Sequence, residues 1–353
     1  MTGGVVTAEP RRSRRDPRRL LVKVAVIVVV GLLLVLVPQH YPLFRVEGQF
    51  NVVITYAIAA LGLNLLTGYN GQISVGHGAF FGVGAYTTAI LVADHGWPHL
   101  ATVAAAAVLT FLLGLLVGLP ALRIQGLYLA LVTLALAASF PLVVTRFSSV
   151  TGGTQGMRVP RFRAPDWTGL KDYQWKYYVL LTFAVVAFVL VRNLVKSRVG
   201  RAVIATRDNE TAARVLGVDL AFYKVLTFGV SAMLAGVAGA LSVVNEPFVN
   251  AEKYNINLSI TLLVAVVVGG TATILGPAWG AFFVVMIPTW LPDDYPQLSP
   301  VLFGGSLILL MIVAPGGFMG VVRQVTTWAR RRLGRRSGAD PPSGDDADEL
   351  ASV

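Results

Sequence analysis

His77 is the only ionisable side chain in a long apolar part of the chain, and it is the first candidate for chemistry. No Asp, Glu, Lys, Arg or second His lies between Glu47 and Asp94. Metal binding and proton relay both need further His or carboxylate groups close by. The lone imidazole therefore favours hydrogen bonding, and the sequence predicts no metal site and no catalytic residue.

The residues around His77 are unusually polar and rich in glycine for such a segment. The stretch GYNGQISVGHG, residues 68–78, contains four glycines, each of which costs about 1 kcal/mol relative to alanine inside a helix. We therefore predict a helix break, which membrane depth tolerates only inside protein or beside water. Two interpretations stay open: the polar side chains line a translocation path, or they bond to one another in a packed core. The candidates are Asn64, Tyr69, Asn70, Gln72, Ser74 and His77.

Other patterns that could support catalysis are incomplete. Asp293 and Asp294, in LPDDYP, resemble half of the metal-diphosphate motif of membrane prenyltransferases. No second acidic pair completes that motif, so an exposed turn is the favoured interpretation. The chain has no cysteine, which excludes disulfides and thiolate chemistry. No cofactor is implied.

The composition shows what must position these residues. Only 13% of the 353 residues are charged, 55% are hydrophobic, and mean hydropathy is +0.68, whereas soluble domains carry roughly 25% charged residues. Uncharged runs reach or exceed the roughly 20 residues that cross a bilayer. They are residues 24–44, 48–93, 95–122, 124–145, 225–245, 254–292 and 295–322. These features predict an all-α polytopic membrane protein.

We predict about ten transmembrane helices, with both termini cytoplasmic. They lie near residues 20–37, 50–67, 73–93, 100–120, 126–145, 177–192, 222–242, 256–270, 276–291 and 301–320. This count puts the basic regions 11–23, 192–207 and 323–336 on one side, as the positive-inside rule requires. Eight helices would satisfy the same test. The net charge of +11 therefore reflects topology and membrane lipid, not nucleic-acid binding.

The only long loop on the basic side contains a predicted short helix. In RDNETAARVLG, residues 207–217, Asp208 or Asn209 can cap a helix that Gly217 ends. The helix could lie on anionic lipid or dock a soluble partner, since small alanines allow close approach. The residues that define it are Arg207, Asp208, Glu210, Ala212, Ala213 and Gly217.

The sequence resembles the inner-membrane permease subunits of branched-chain amino-acid ABC importers, of the LivM type. Five blocks carry the resemblance, in the order expected for that family. They are LGLNLLTGYNGQISVGHGAFFGVGAY (61–86), GLYLALVTLALA (126–137), TGGTQG (151–156), GRAVIATRDNETAARVLGV (200–218) and LGPAWGA (275–281). Two departures are small: Thr211 precedes the two alanines where relatives often have Glu, and Ala272 stands where Gly is usual.

The resemblance implies a non-catalytic permease subunit in the bacterial plasma (inner) membrane. It implies three parts: a basic cytoplasmic segment at 1–19, a permease domain at 20–322 with a coupling loop at 193–221, and a largely disordered cytoplasmic tail at 323–353. The implied partners are two ABC ATPase subunits, an extracytoplasmic substrate-binding protein and a second permease. A heterodimer is expected, and a homodimer stays open. No G-x-x-x-x-G-K-[ST] phosphate loop is present, so ATP hydrolysis would fall to the partners.

Three alternatives to a branched-chain amino-acid permease remain. A related permease for urea or short amides would share the same motifs. An ion-coupled secondary transporter would need an acid or a charge pair within its helices, and the uncharged runs offer none. A membrane transferase would need clustered acids or histidines, which are equally lacking.

Overall fold

Long uncharged runs become helices because membrane-embedded backbone groups must bond within their own segment. The computed structural model describes residues 36–122 and 126–290, with single positions and short stretches between 304 and 324. The predicted helices near 20–37 and 301–320 lie largely outside the described residues. Asp293, Asp294, segment 1–19 and the tail at 323–353 lie outside them almost entirely.

Ten helices and one two-stranded ladder organise the described chain, apart from a few short turns of helix. The helices are α1 (Val46–Tyr69), α2 (His77–Ala93), α3 (His99–Ala121), α4 (Leu127–Arg146), α5 (Asp172–Lys196), α6 (Arg198–Asp208), α7 (Glu210–Val215), α8 (Leu220–Asn245), α9 (Ile256–Gly269) and α10 (Gly276–Trp290). The strands are β1 (Met157–Arg158) and β2 (Phe248–Val249).

Eight of the ten predicted transmembrane segments coincide with helices in the part that the structure describes. Five of these helices, α1, α3, α4, α5 and α8, are long and apolar enough to cross a membrane. The other three, α2, α9 and α10, are apolar but shorter. The protein is thus a mainly helical, multi-pass membrane protein, and the total of ten spans stays a prediction.

Helices α1 and α8 form the centre of the bundle. Their most apolar windows are 67% and 78% buried, whereas that of α5 is 22% buried. Glycines let α8 approach its neighbours closely: a Cβ at Gly84 of α2 would meet the backbone of Gly236, and one at Gly239 would meet the carbonyl of Phe81. Close backbone approach through small residues is the usual means of packing membrane helices.

The β1–β2 ladder joins two loops at one end of the bundle. Met157 pairs with Val249 and Arg158 with Phe248 in an antiparallel register, and Val159 N donates to Pro247 O at 3.0 Å. The sequence patterns did not predict this pairing. Helices α6 and α7 follow the opposite end of α5. We call these two ends of the bundle the ladder end and the α7 end.

Ala272 adopts a left-handed backbone conformation, with φ of 55°, and no other non-glycine residue described here has positive φ. Such a conformation costs a residue with a Cβ about 1–2 kcal/mol. Ala272, which stands where similar sequences usually have glycine, is therefore under local backbone strain. Its amide donates to Asn64 Oδ1 at 2.9 Å, which helps to hold the turn.

Replacing Ala272 by glycine should raise the free energy of unfolding by about 1 kcal/mol, because glycine adopts this conformation without strain. Thermal denaturation in detergent would measure the change. The matched control is Ala205→Gly within α6, which should lower stability by about 1 kcal/mol. If both variants lose stability, the backbone of Ala272 is not strained.

Candidate functional site

The chain leaves the helical conformation between Tyr69 and His77, inside the stretch where a break was predicted. The last turn of α1, Leu65–Tyr69, widens into a π-helical turn, and Gly71 follows with φ of 76°. Gln72 N donates to Leu66 O at 3.1 Å, and Thr67 Oγ1 donates to Gln72 O at 3.1 Å. The interruption is thus a defined, hydrogen-bonded connection, and α2 begins four residues later than predicted.

Hydroxyl groups from other helices satisfy backbone amides beside the break. Thr133 Oγ1 of α4 accepts from Val75 N at 2.9 Å, and Ser259 Oγ of α9 accepts from Gly78 N at 2.9 Å. Both hydroxyls belong to fully buried residues. Unpaired amides at this depth would cost several kcal/mol, so these two contacts stabilise the break.

His77 lies in a buried chain of hydrogen bonds that fixes its tautomer. Ser231 Oγ of α8 donates to Gly62 O at 2.5 Å, so it must accept the proton on His77 Nε2 at 2.7 Å. His77 Nδ1 then accepts from Ser74 Oγ at 3.1 Å. In its neutral form the imidazole is thus the Nε2–H tautomer, and it links the break to α1 and α8.

Asn64 fastens the end of α1 to the turn that contains Ala272. Its Nδ2 donates to Thr273 O at 2.7 Å, and its Oδ1 accepts from Ala272 N at 2.9 Å. The side chain is fully buried. Asn64, Ser74 and His77 are therefore fully bonded in this conformation, as the packed-core interpretation expects.

Tyr69, Asn70 and Gln72 are also buried, but two of them retain unpaired polar atoms. Within the described residues, Asn70 Nδ2, Asn70 Oδ1 and Gln72 Oε1 have no hydrogen-bond partner. Buried polar atoms are usually bonded, and an exception requires an explanation. The six predicted path residues are thus brought together around one break, with three bonded within the protein and two that keep unpaired groups.

The predicted coupling segment forms two consecutive helices, α6 and α7, which we call the hairpin. Asn209 Oδ1 caps α7 by accepting from Ala212 N at 3.0 Å, and Gly217 ends it with φ of 82°. Ala213 is buried and Ala212 is exposed. Val215 and Leu216, at the end of α7, which we call the tip, are 83% and 81% exposed. The hairpin therefore presents an apolar tip to its surroundings.

Two polar contacts join this hairpin to the bundle. Arg207 Nη1 donates to Gly68 O, beside the helix break, at 2.7 Å. Glu210 Oε1 pairs with Lys224 Nζ of α8 at 2.6 Å, and the Lys224 side chain is only 9% exposed. Asp208, in contrast, is 61% exposed and contacts the adjacent Arg207 at 3.4 Å. Movement of the hairpin would thus pull directly on the break and on α8.

Several residues of this arrangement were not predicted from the sequence. Thr133, Ser231 and Ser259 are hydroxyl residues within apolar helices, which is a weak signal on its own. Lys224 is a single cation directly before a long uncharged run. That position could have identified it as a residue with a polar partner. Within the described residues, no group of three or more His, Cys, Asp or Glu could hold a metal ion.

The fold and the site define the class of protein: a multi-pass helical membrane protein with a broken central helix and an exposed helical hairpin at one end. The family described as the permease component of the branched-chain amino acid transport system matches residues 46–314. The chain belongs to this family, as the resemblance predicted.

Named relatives agree with this assignment. The high-affinity branched-chain amino acid transport system permease protein LivM of Salmonella typhimurium is 28% identical over 316 residues, which cover 82% of this chain and 74% of the relative. LivM of Escherichia coli K12 is 29% identical over 77% of this chain and 69% of the relative.

More distant relatives extend the comparison. LivH of Escherichia coli K12 is 25% identical over 79% of this chain and 96% of its own length. The autoinducer 2 import system permease protein LsrC of Photorhabdus laumondii is 26% identical over 83% and 91%. No solved structure matches the chain significantly.

Proposed function

We propose that this chain is the permease subunit of an ATP-driven ABC importer for branched-chain or related amino acids. It resides in the bacterial plasma membrane with its α7 end and both termini in the cytoplasm. Family membership and the names of the LivM relatives support this proposal. The permease domain spans 20–322, and the segments 1–19 and 323–353 flank it in the cytoplasm.

The observation that carries the proposal is the connection between an exposed helix tip and a buried helix break. Val215 and Leu216 form an apolar tip suited to a groove on a partner ATPase. Arg207, on α6 of the same hairpin, binds the carbonyl of Gly68. Closure of the ATPases on ATP would therefore move the hairpin and shift the end of α1.

The helix break is proposed to line the translocation path. In this conformation Asn70 and Gln72 have unpaired amide atoms, which could bind substrate or water when the helices separate. Asn64, Ser74 and His77 would keep the surrounding helices in register. We thus assign Asn70 and Gln72 to the translocation path, and Asn64, Ser74 and His77 to the packed core.

The proposed assembly contains two ATPases, a second permease and an extracytoplasmic substrate-binding protein. The similarity of this chain to both LivM and LivH supports a heterodimer of two related permeases. LsrC, an import permease for autoinducer 2 by its name, shows that relatives act on other cargo. The amino-acid substrate is therefore part of the proposal.

Affinity purification of the tagged chain from its native membrane tests the assembly. We expect two ATPases, a second permease and an amino-acid-binding protein to co-purify, and leucine uptake by the reconstituted complex to require ATP. A chain that purifies alone and transports without ATP would contradict the proposal.

A cysteine in place of Gln72 should react with a small water-soluble thiol reagent in at least one nucleotide state, because this side chain, whose Oε1 is unpaired, would line the opened path. The chain has no native cysteine, so labelling reports on this position alone. Thr88→Cys, fully buried within α2, is the control and should stay unlabelled. Protection of Gln72→Cys in every state would favour the packed-core interpretation for this residue too.

A further inference from the structure

Two adjoining cavities open at the ladder end, away from the break and the hairpin. The larger has a volume of about 630 Å³ and lies between the start of α1, the start of α5 and the end of α8. The smaller, about 210 Å³, shares three lining residues with it: Val52, Asn245 and Glu246. Small-molecule sites typically measure about 300–1,000 Å³, so the pair is large enough for an amino acid.

The larger cavity carries charges of both signs. Lys176 Nζ binds Glu47 Oε1 at 2.9 Å and also donates to Asn245 O at 3.4 Å, with its side chain only 7% exposed. This ion pair, of which Lys176 is the buried member, forms part of the wall. Arg161 lies on the cavity lining and is exposed, and none of the salt bridges among the described residues involves it. Its guanidinium is therefore available to a carboxylate.

Glu246 stands where the two cavities meet, since it lines both. One carboxylate oxygen, Oε1, binds Lys253 Nζ. A carboxylate offers two oxygens and several acceptor positions, so Glu246 can still accept from an ammonium group. Glu246 and Arg161 thus provide complementary charges in one cavity.

The smaller cavity combines aromatic and aliphatic side chains with two charged ones, Glu246 and Lys253. Its wall includes Phe81, Tyr254 and Leu258, and the rings of Phe81 and Tyr254 stack with centroids 5.9 Å apart. Burial of an aliphatic side chain here would be favourable by about 25 cal/mol per Å² of apolar surface. The recess therefore offers apolar surface to the side chain of an apolar amino acid, and its two charged residues, Glu246 and Lys253, are paired with each other.

We propose that these cavities receive a zwitterionic amino acid with an apolar side chain before it enters the path. Arg161 binds its α-carboxylate, Glu246 binds its α-ammonium, and the smaller cavity accepts its side chain. This inference rests on the proposed import function and adds a site on the permease itself, at the end of the bundle opposite the α7 hairpin.

Cysteine protection tests the site directly. Gly48 lines the larger cavity, and a Cβ there would meet nothing within 4 Å. We would place Gly48→Cys in the otherwise Cys-free chain, co-expressed with its partners in right-side-out vesicles without ATP, and measure alkylation with and without leucine. At a leucine concentration near ten times its Kd, labelling should slow about tenfold.

Leucine analogues separate the two charge contacts. 4-Methylpentanoate lacks the ammonium group and 3-methylbutylamine lacks the carboxylate, so neither should protect at the same concentration. Arg161→Gln and Glu246→Gln should each raise the protecting leucine concentration about tenfold or more. Asp94→Cys, exposed outside the cavities, is the labelling control and should be unaffected by leucine.

The failure of this inference differs from the failure of the proposed function. Leucine uptake without protection of Gly48→Cys, or without its labelling, would overturn the receiving site and leave the permease assignment intact. Protection by the amine or the acid alone, or unchanged protection in Arg161→Gln and Glu246→Gln, would also overturn it. Protection without ATP-driven uptake by the wild-type complex would instead contradict the import function.

Discussion

Replacing Arg207 by glutamine should lower ATP-driven leucine uptake about tenfold or more while ATP hydrolysis continues. The substitution removes a charged donor that lies 2.7 Å from Gly68 O, a contact worth roughly 1.5–3 kcal/mol. Each 1.4 kcal/mol corresponds to tenfold in an equilibrium between conformations. If the hairpin moves the helix break through this contact, hydrolysis would no longer be converted into transport.

Uptake and hydrolysis must therefore be measured on the same reconstituted complex. Arg201→Gln is the matched control, because Arg201 lies on the same helix and its guanidinium, within the described part of the chain, bonds to the nearby Lys196 O at 3.3 Å. We expect that variant to behave as wild type. Normal uptake by Arg207→Gln would show that coupling does not pass through this contact. Parallel losses of uptake and hydrolysis would indicate that the hairpin no longer docks its partner.

Local features of this molecule could be predicted from the sequence because they depend on neighbouring residues. Uncharged runs located the helices, and the glycines of residues 68–78 indicated the break. Asn209 and Gly217 predicted the ends of α7, and both act as expected: Asn209 accepts from Ala212 N, and Val218 N bonds back to Ala213 O at 3.0 Å.

Helix α6 could not be predicted from its local sequence pattern. Its sequence begins with basic residues and contains Gly200, and it was interpreted as part of a basic loop. The structure caps it through Ser197, whose Oγ accepts from Gly200 N at 3.4 Å. Val203 is then buried against the bundle. Tertiary packing of one face, more than intrinsic propensity, explains this helix.

The partners of the buried polar residues could not be predicted, because the contacts join distant parts of the chain. His77 and Ser231 are 154 residues apart, and Asn64 and Thr273 are 209 apart. A single sequence does not specify which helices are adjacent. Lys176 illustrates the same point: it lies outside the predicted basic regions, and the structure pairs it with Glu47, 129 residues earlier.

Adding one methyl group at Gly84 should disrupt the bundle more than any surface substitution. A Cβ there would meet the backbone of Gly236 in α8, and backbone atoms cannot rotate away as a side chain can. Overpacking costs typically 1–3 kcal/mol and occasionally more. We expect Gly84→Ala to lower the free energy of unfolding by about 3 kcal/mol and to reduce accumulation in the membrane.

Gly48→Ala is the control that separates overpacking from the change in helix propensity. Nothing lies within 4 Å of a Cβ at Gly48, so Gly48→Ala should be neutral or stabilising by up to about 1 kcal/mol. Thermal denaturation in detergent and the amount of membrane-inserted protein would compare the two variants. Equal stability would mean that α2 and α8 do not cross through Gly84 and Gly236. A loss confined to Gly84→Ala would support the close crossing that places His77 of α2 beside Ser231 of α8.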